Sequence, residues 1–444
     1  IEEAVYKPGA PVAVVINDFH NNPVVQSNIE HIINFLKQNS DLDKIIIEGA
    51  PGRRITTSLF SSIPSEQRIY AVDKLLAKGL LSGAESFAVK NDFSSIFGLE
   101  DWDIYRENLR RAEDLKDKYA GDILFLGQSF VKQRTAFPKG KVFQVLSHDG
   151  SLDERIIRIG KFCKEHKIDL SVYPDLDNFI YMQTYPNTAG VEKEFNAFIN
   201  DLKKELPYNV YSYIAGLLKK SDNMATSLAL LFEIAKLYTP QLLVKYGNLA
   251  AYFKHIEIKI SVRSYLLLRQ LDAAENLILE NYAVFGEKDL CEIDKFIYLL
   301  SEYTKLSLTY EQYTYLKANQ ERLYQISFKY LNTDSMKIIA NILRDEKLSG
   351  FYCVNIERND IFYGNISNIM KLQRKTDELA HSKNEDTELI LNDLKVNKSV
   401  NVIVVGGFHS RLVDMQKDSE VSVLSIVPNA EAAALTDSGI VRHK

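Results

Sequence analysis

Both ends of the chain carry short runs of apolar, mostly β-branched residues, and polar or small residues or a proline follow each run. The runs are Val12–Ile16, Ile45–Ile47, Val400–Val405 and Val421–Val427. Such runs are typical of strands that are covered on both faces, as in a parallel sheet flanked by helices. Between the first two runs, Gln26–Lys37 has its apolar residues on one helical face. The N-terminal part is therefore predicted to form a βαβ unit with a right-handed crossover.

The middle of the chain has a different pattern, with apolar residues at spacings of three and four. Five predicted helices follow from it: Val191–Leu206, Tyr208–Lys220, Asn223–Leu237, Val262–Tyr282 and Leu290–Leu308. No proline occurs between Pro240 and Pro428, and this also favours helices. At most one stretch of this region, His255–Ile260, alternates as a strand would.

These patterns predict an α/β fold in which the two ends of the chain build one sheet. We expect a mostly parallel sheet with flanking helices, plus a large all-helical insertion. The predicted boundaries are 1–113 for the N-terminal part of the α/β core, 114–346 for the insertion and 347–444 for the C-terminal part. Because long insertions usually carry function, we expect this one to act as a lid or to bind a protein partner.

Composition narrows the function classes. With 54 Lys and Arg against 59 Asp and Glu, the net charge is −5, which argues against nucleic-acid binding. No stretch is apolar enough to predict a transmembrane helix.

The three cysteines, Cys163, Cys291 and Cys353, lack the spacing of a thiolate zinc site. We expect all three to be buried thiols, although two of them could form one disulfide. The chain begins at Ile1 and not at Met, which fits removal of an export signal from a periplasmic or extracellular protein but does not establish it, so the localisation stays open.

Potentially reactive residues follow three of the four predicted strands. Asp18 and His20 follow the first run, and Glu48 follows the second. His409 follows the third run, after Gly406 and Gly407. Ligands of α/β sheets bind beyond the carboxyl ends of the strands, so these groups are predicted to converge. Two imidazoles with carboxylates suit a divalent metal, or a histidine base that an acid orients. Each group also has a structural interpretation: a helix cap or Asx turn for Asp18, a turn for Glu48, and ordinary hydrogen bonding for each histidine.

Several common motifs are absent, namely GxGxxG, GxxxxGK[ST], HExxH and GxSxG. The segment Asp18-Phe19-His20 fits the DxH start of the binuclear metallophosphoesterases. The chain lacks the GNH[DE] element that this class also requires. This class is therefore disfavoured.

Arg358 is predicted to lie in the first turn of a helix that extends over Arg358–Leu379. A cation is unfavourable at that end of a helix dipole. Its presence there would be explained by pairing with a carboxylate or by holding an anionic substrate, and a surface salt bridge is the alternative.

The order of these residues resembles the TraB/TIKI superfamily, which is grouped with erythromycin-esterase-like and ChaN-like proteins. That pattern has a GxxH at an early strand end, a Glu at the next, an Arg-Asn pair that opens a helix, and a late second GxxH. Asn17-Asp18-Phe19-His20, Glu48, Glu357-Arg358-Asn359 and Gly406-Gly407-Phe408-His409 occupy these four places in this chain. Asn17 stands where the family has glycine. The resemblance covers roughly residues 10–105 and 350–430.

The resemblance implies a TIKI/ChaN-like core and a hydrolase. His20, Glu48 and His409 would be catalytic and would hold zinc, manganese or cobalt. Asp18 would assist, Arg358 would stabilise negative charge, and Asn359, Gly406 and Gly407 would contact a peptide, ester or other small-molecule substrate. The superfamily includes metal-dependent proteases, esterases that use a histidine-activated water, and haem-binding proteins. A non-catalytic ligand- or haem-binding or assembly protein with a degenerate site therefore stays open as the alternative.

Overall fold

A computed structural model describes residues 3–18, 22–57, 60–134, 140–184, 191–220, 224–261, 264–284, 286–370, 399–406, 409 and 421–428. Its strands form one six-stranded sheet in the order β1-β6-β2-β5-β3-β4. They are β1 Glu3–Val5, β2 Val12–Asp18, β3 Asp41–Pro51, β4 Ile96–Glu100, β5 Ser399–Gly406 and β6 Ser422–Ile426. All pairings are parallel except that of β1 with β6.

The two ends of the chain meet in the centre of this sheet. Strand β5 lies between β2 and β3, so Val12 pairs with Val400 and Ile45 pairs with Val402. The prediction that both ends build a single sheet is confirmed by these pairings. The α/β class and the mostly parallel sheet agree with the pattern of apolar runs.

Eighteen helices are described. The first six are α1 Pro23–Asn39, α2 Ser65–Ala77, α3 Gly83–Lys90, α4 Trp102–Leu115, α5 Ala120–Arg134 and α6 Lys141–Leu146. The next eight are α7 Leu152–His166, α8 Pro174–Thr184, α9 Val191–Glu205, α10 Tyr208–Lys220, α11 Met224–Tyr238, α12 Pro240–Lys245, α13 Gly247–Ser261 and α14 Ser264–Tyr282. The last four are α15 Glu287–Thr304, α16 Tyr310–Ser327, α17 Thr333–Leu343 and α18 Glu346–Met370.

Helices cover both faces of the sheet. On one face, Val14 and Val402 pack with Ile29 of α1 and Phe87 of α3. On the other face, alternate residues of the same strands, such as Val15 and Ile403, pack against Phe362 and Ile366 of α18. Because side chains alternate along a strand, the two faces have separate apolar cores, and the strand sequences are continuously apolar for that reason.

The chain divides into two compact units. The sheet unit contains Ile1–His148 and Ala283–Lys444, and the helical unit contains Asp149–Tyr282. The helical unit has its own core, in which Phe198, Leu202 and Phe253 are buried. The sheet unit includes α5, α6 and α15–α17, which lie in the segment 114–346 of the predicted insertion. The boundaries predicted from sequence stay a prediction.

Three sequence expectations differ from the structure. His255–Ile260, the stretch with an alternating pattern, lies in helix α13. Strands β1 and β4 were not predicted, and Gly98 interrupts the apolar run of β4. Arg358 is not in a first turn, because α18 begins at Glu346 and the residues before Arg358 continue the same buried face. The residues after Met370 in the predicted Arg358–Leu379 helix lie outside the described part of the chain.

The described helices also bear on membrane insertion. None of them combines the length and the apolar character that a membrane-spanning helix requires.

The expectation of three buried thiols is wrong for Cys353, which is exposed on α18, whereas Cys163 and Cys291 are buried. All three are free thiols. Burial raises the pKa of Cys163 to about 11, and only the thiolate is a nucleophile.

We therefore predict that Cys353 is the one thiol that reacts rapidly with an aromatic disulfide reagent at pH 8. Unfolding should make the other two thiols, Cys163 and Cys291, reactive as well. Cys353→Ser should remove the rapid phase, whereas rapid labelling of Cys163 would contradict the assignment.

Candidate active site

The candidate site lies at the carboxyl edge of the parallel strands. From β2 the chain passes through α1 to β3, on one side, whereas from β5 it passes to β6, on the other side. Neighbouring strands whose connections leave in opposite directions define the crevice in which α/β proteins bind ligands. Glu48 lies three residues before the end of β3, Glu100 ends the adjacent strand β4, and His409 follows β5 by three residues.

A local irregularity of β3 aims Glu48 at this crevice. The pairing of β3 with β4 shifts register between Ile47 and Pro51, and Gly49 adopts a φ of +82° within this stretch. Gly98 of β4 permits the close approach, because a Cβ there would lie 2.1 Å from the Pro51 carbonyl oxygen. Irregularities of this kind redirect a side chain at the end of a strand.

Glu48 makes polar contacts through both carboxylate oxygens. Its Oε2 accepts a hydrogen bond from the backbone N–H of Gly406 at 2.6 Å, which ties the end of β3 to the end of β5. Its Oε1 accepts from Arg358 Nη2 at 2.9 Å and lies 3.3 Å from His409 Nε2. The side chain of Glu48 is only 5% exposed. The carboxylate therefore has a fixed orientation in a site with little water.

Arg358 is the centre of this network. Its guanidinium donates to both oxygens of Glu100, from Nε to Oε2 at 3.1 Å and from Nη2 to Oε1 at 2.6 Å. This is the bidentate geometry for which a planar guanidinium is suited. Arg358 is 2% exposed, so it is not a surface salt bridge, and its donors point at Glu48, Glu100 and Asn355. In this arrangement the arginine holds the carboxylates in place.

Two asparagines extend the network toward α4. Asn355 Oδ1 accepts from Arg358 Nη1 at 2.7 Å and from Asn108 Nδ2 at 3.0 Å. Asn355 precedes Arg358 by three residues, so both lie on the same face of α18. Asn108 is buried, and its Oδ1 has no hydrogen-bond partner among the described residues. These contacts connect the guanidinium to α4 through Asn355.

His409 is held from both ring nitrogens. Its Nδ1 lies 2.6 Å from Asn359 Oδ1, and its Nε2 faces Glu48. An amide oxygen can only accept, so Nδ1 carries a proton in this pairing. The ring packs against Phe362, with 4.7 Å between the ring centroids. The remaining nitrogen, Nε2, is therefore the one that can exchange a proton.

The ionisation of the network reflects burial and charge. Burial raises the pKa of Glu100 above its usual value, aided by Glu48, and Arg358 only partly opposes the shift. Burial acts to lower the pKa of Arg358, but the charges of Glu48 and Glu100 outweigh it and raise that pKa. The arginine is therefore charged at every relevant pH. Two carboxylates face one guanidinium, so a further positive charge beside Glu48 would be stabilised.

Other residues predicted from the sequence lie elsewhere. Asp18 shares the strand face of Val14 and Ile16, and its Oδ1 accepts from Gln26 of α1. That face is opposite to α18, so these contacts do not bring Asp18 into the Arg358 network. Asn17 lies within β2, its φ is not positive, and its Nδ2 donates to Ser425 Oγ at 3.4 Å. The strand backbone thus accepts Asn where the family has glycine. His20 and Gly407 lie outside the described residues.

Sequence reasoning missed Glu100, Asn108 and Asn355. Glu100 ends the run Ile96-Phe97-Gly98-Leu99, so it obeys the same rule as Glu48, but the glycine obscured the strand. Asn355 was detectable as the polar residue one turn before Arg358, once the helix is extended backwards. No sequence signal marks Asn108, because its role depends on the packing of α4 against α18.

A metal ion would find two donors here. His409 Nε2 and Glu48 Oε1 are 3.3 Å apart, and two ligands of one zinc ion are separated by roughly 3–3.5 Å. In the described part of the chain, no group of three or more His, Cys, Asp or Glu side chains is arranged to hold a metal. His20, the third ligand predicted from the sequence, lies outside the described residues. The donors present are compatible with an ion but do not complete a site.

We predict that Arg358→Met lowers the free energy of unfolding by about 3–5 kcal/mol, because it leaves buried carboxylates without their cation. Urea unfolding monitored by circular dichroism measures this loss. Lys347→Met is the control, since Lys347 of α18 pairs with Asp114 of α4 on the exposed surface, where such a pair contributes little to stability. Equal losses in the two variants would show that the Arg358 network does not stabilise the fold.

A second prediction concerns pH. Because the pKa of Glu100 is raised in the folded state, the folded state binds this proton more tightly than the unfolded chain does. The Glu100 contribution is therefore present below the ordinary carboxyl pKa and is lost as pH rises through the raised value. Glu100→Gln should remove this decline from the plot of unfolding free energy against pH. Glu66→Gln, on the exposed surface of α2, is the control for removal of one carboxylate, and a decline that persists unchanged in Glu100→Gln would refute the assignment.

Comparisons with protein-family models, with curated proteins and with solved structures find no match to this chain. The likeness to the TraB/TIKI group is thus a likeness of motifs. Of the residues that carry it, Glu48, Arg358, Asn359 and His409 lie together at one edge of the sheet.

Proposed function

We propose that the protein is a hydrolase of peptide or ester substrates, with His409 and Glu48 at its reacting centre and a TIKI/ChaN-like core around them. One observation carries the proposal. His409 Nε2 faces Glu48 Oε1 at 3.3 Å, while Nδ1 is bound to Asn359 and Glu48 is bound to Arg358. A base, an acid that orients it and further groups that orient both are the arrangement from which hydrolytic sites are built.

The pairing assigns a role to each nitrogen of His409. When Nδ1 donates its proton to a hydrogen bond with the Asn359 carbonyl oxygen, the neutral ring has its lone pair at Nε2. There it can take a proton from a water molecule held beside both Nε2 and Glu48 Oε1. The imidazolium that results is stabilised by Glu48, since a charged pair at this distance is strongly favoured away from water. Later the same proton can be transferred from Nε2 to the leaving group. His409 is thus the general base and then the general acid.

Asn359 offers a second contribution. It is 2% exposed, and its Nδ2 has no hydrogen-bond partner among the described residues, although buried donors nearly always have one. This N–H group is attached to the same amide that orients His409. A substrate carbonyl oxygen that accepts from Nδ2 would be bound beside the general base. Donors placed in this way stabilise the oxyanion of acyl transfer.

Zinc, manganese or cobalt would be held by His409 and Glu48 together with His20. A bound divalent ion lowers the pKa of its water to about 7. Arg358 would hold the ligating oxygen of Glu48 in place, because Nη2 already donates to it at 2.9 Å. Gly406 would do the same for the other oxygen through its backbone N–H.

The alternative, a ligand- or haem-binding or assembly protein, is favoured by a different aspect of the same contacts. Both oxygens of Glu48 already accept from protein donors, and Arg358 has no donor directed at solvent. Such a satisfied network is also what a purely structural polar core would show. The two readings differ in whether His409 is needed for turnover.

The test is hydrolysis of chromogenic esters, amino-acid anilides and a fluorogenic peptide library, measured after chelation and after addition of each metal. We predict that His409→Ala and Glu48→Gln each lower kcat/KM at least 100-fold, because proton transfer by a positioned group contributes about 10²–10⁴-fold. Stability should fall by only about 1–3 kcal/mol in His409→Ala, the cost of one unsatisfied buried acceptor.

His31→Ala is the matched control, because His31 is exposed on α1 and should be silent in every assay. Retention of full activity by a folded His409→Ala protein would exclude the proposed mechanism. If the parent protein hydrolyses nothing but binds haem or another ligand, and His409→Ala weakens that binding, the binding-protein alternative takes its place.

A further inference from the structure

The side chain of Asn17 has a buried acceptor that no described residue satisfies. Asn17 is 9% exposed, and its Oδ1 has no hydrogen-bond partner among the described residues. Its Nδ2 donates to Ser425 Oγ of β6 at 3.4 Å. The two atoms of an amide diverge from one carbon, so Oδ1 points away from Ser425 and hence away from β6. Strand β5, which leads to His409, is the other neighbour of β2.

Asn17 lies level with Glu48 across the sheet. Asn17 pairs with Val405 of β5, and Ile47 of β3 pairs with Val404, so Glu48 comes next to Val405. Neighbouring strands are about 4.8 Å apart, and two such spacings place the Cα atoms of Asn17 and Glu48 about 10 Å from each other. Asn17 is also the penultimate residue of β2, at the carboxyl edge where the candidate site lies.

Asn17 shares the face of the sheet that α18 covers. Val15 packs with Phe362 of α18, and Asn17 follows Val15 by two residues, so both side chains are on that face. Asn359 precedes Phe362 by one turn of the helix, and its Oδ1 contacts His409 beyond the end of β5. Asn17 and Asn359 therefore border the same end of one apolar cluster, from the strand side and from the helix side.

Two unsatisfied atoms of opposite kind thus occur at this end of the sheet. Asn359 Nδ2 is a donor, and Asn17 Oδ1 is an acceptor. Each residue of a peptide backbone has a C=O acceptor and an N–H donor, whereas an ester chain has acceptors alone. A separation of about 10 Å corresponds to about three residues of an extended chain. A peptide is therefore the substrate class that satisfies both asparagines.

The position of Asn17 distinguishes it from Asn401, whose Oδ1 is also buried without a partner among the described residues. Asn401 pairs with Ala13, four residues before Asn17, which places it about 13 Å away along the strand direction. It lies on the same face, because Ile403 of the same strand packs against α18. Asn401 is thus a matched residue at the opposite edge of the sheet from the site.

We infer that Asn17 is a specificity residue that accepts a hydrogen bond from a backbone N–H of a peptide substrate, about three residues from the bond that His409 cleaves. The inference rests on the proposed function for the identity of that bond, but binding of the N–H group can be measured without turnover. Asn359 Nδ2 donates to the carbonyl oxygen of the cleaved bond, and Asn17 Oδ1 holds the same chain farther along. An ester chain leaves Asn17 unpaired, so peptides are preferred.

Binding is tested on the full chain with His409→Ala, which removes turnover. The probes are fluorescein-labelled hexaalanine and hexalactate, its counterpart with an ester oxygen in place of each backbone N–H. Fluorescence anisotropy should show that hexaalanine binds at least about tenfold more tightly, and Asn17→Leu should reduce this preference about five- to tenfold, since it removes the acceptor. Asn401→Leu should leave the preference unchanged. Absence of saturable hexaalanine binding, or an equal preference with and without Asn17, would overturn the inference.

Kinetics locate the contact along the substrate. In the peptide that the enzyme cleaves best, replacement of one backbone N–H at a time by an ester oxygen should identify a single position, away from the cleaved bond, where KM rises about fivefold with kcat nearly unchanged. Asn17→Leu should cause the same rise for the unaltered peptide and no further rise for the replaced one. Independent, multiplied effects of the two changes would contradict a contact between them.

Stability separates this loss from misfolding. Leucine at position 17 removes an unsatisfied polar atom, so the urea midpoint of Asn17→Leu should be unchanged or higher. Asn17→Ala, which needs no extra space, should give the same kinetic result if leucine disturbs the packing.

The outcomes also separate this inference from the proposed function. An Asn17-dependent preference for hexaalanine in a protein that hydrolyses nothing keeps the peptide contact and removes the hydrolase. Peptide hydrolysis with the same KM in the parent protein and in Asn17→Leu keeps the hydrolase and removes the contact.

Discussion

The buried guanidinium of Arg358 is the constraint on which the site depends. Moving a charged group of this size out of water costs several kcal/mol of solvation free energy. Only close carboxylates and additional hydrogen bonds offset that cost. Glu100 supplies a bidentate pair, Glu48 a second carboxylate and Asn355 a carbonyl oxygen. These groups come from β3, β4 and α18, so satisfying one cation fixes three elements relative to one another.

The geometry of the candidate centre follows from that constraint. Once Arg358 holds Glu48, the carboxylate also accepts from Gly406, which fixes the end of β5. His409 follows Gly406 by three residues, and its ring is oriented by Asn359, the residue after Arg358. One turn of α18 therefore positions both members of the proposed acid–base pair, Glu48 through the arginine and His409 through the asparagine. The same guanidinium contacts Tyr105, which connects the centre to the exposed indole of Trp102.

The sequence was informative where a single local rule was enough. Continuous apolar runs predicted four of the strands, and the rule that sites lie beyond strand ends identified Glu48 and His409. The rule failed for Glu100, because Gly98, which the close approach of β3 requires, breaks the run that would have revealed β4. Arg358 was recognised as a cation in need of a partner, but on a wrong premise about the start of its helix. The burial of Arg358, and not its position along the helix dipole, is what requires the carboxylates.

The sequence by itself determined the class of the fold and which strand ends carry reactive groups, because apolar periodicity and strand length are local properties. Only the tertiary structure decided which of these groups meet. Asp18 ends β2 and Glu48 lies near the end of β3, yet the two side chains point to opposite faces of the sheet. The side-chain period of two, combined with the register of β2 and β3 against β5, separates them. The partners of Arg358 are likewise set by packing between elements that are hundreds of residues apart. Contacts of that kind depend on how helices cover a sheet, and no local pattern of residues encodes them.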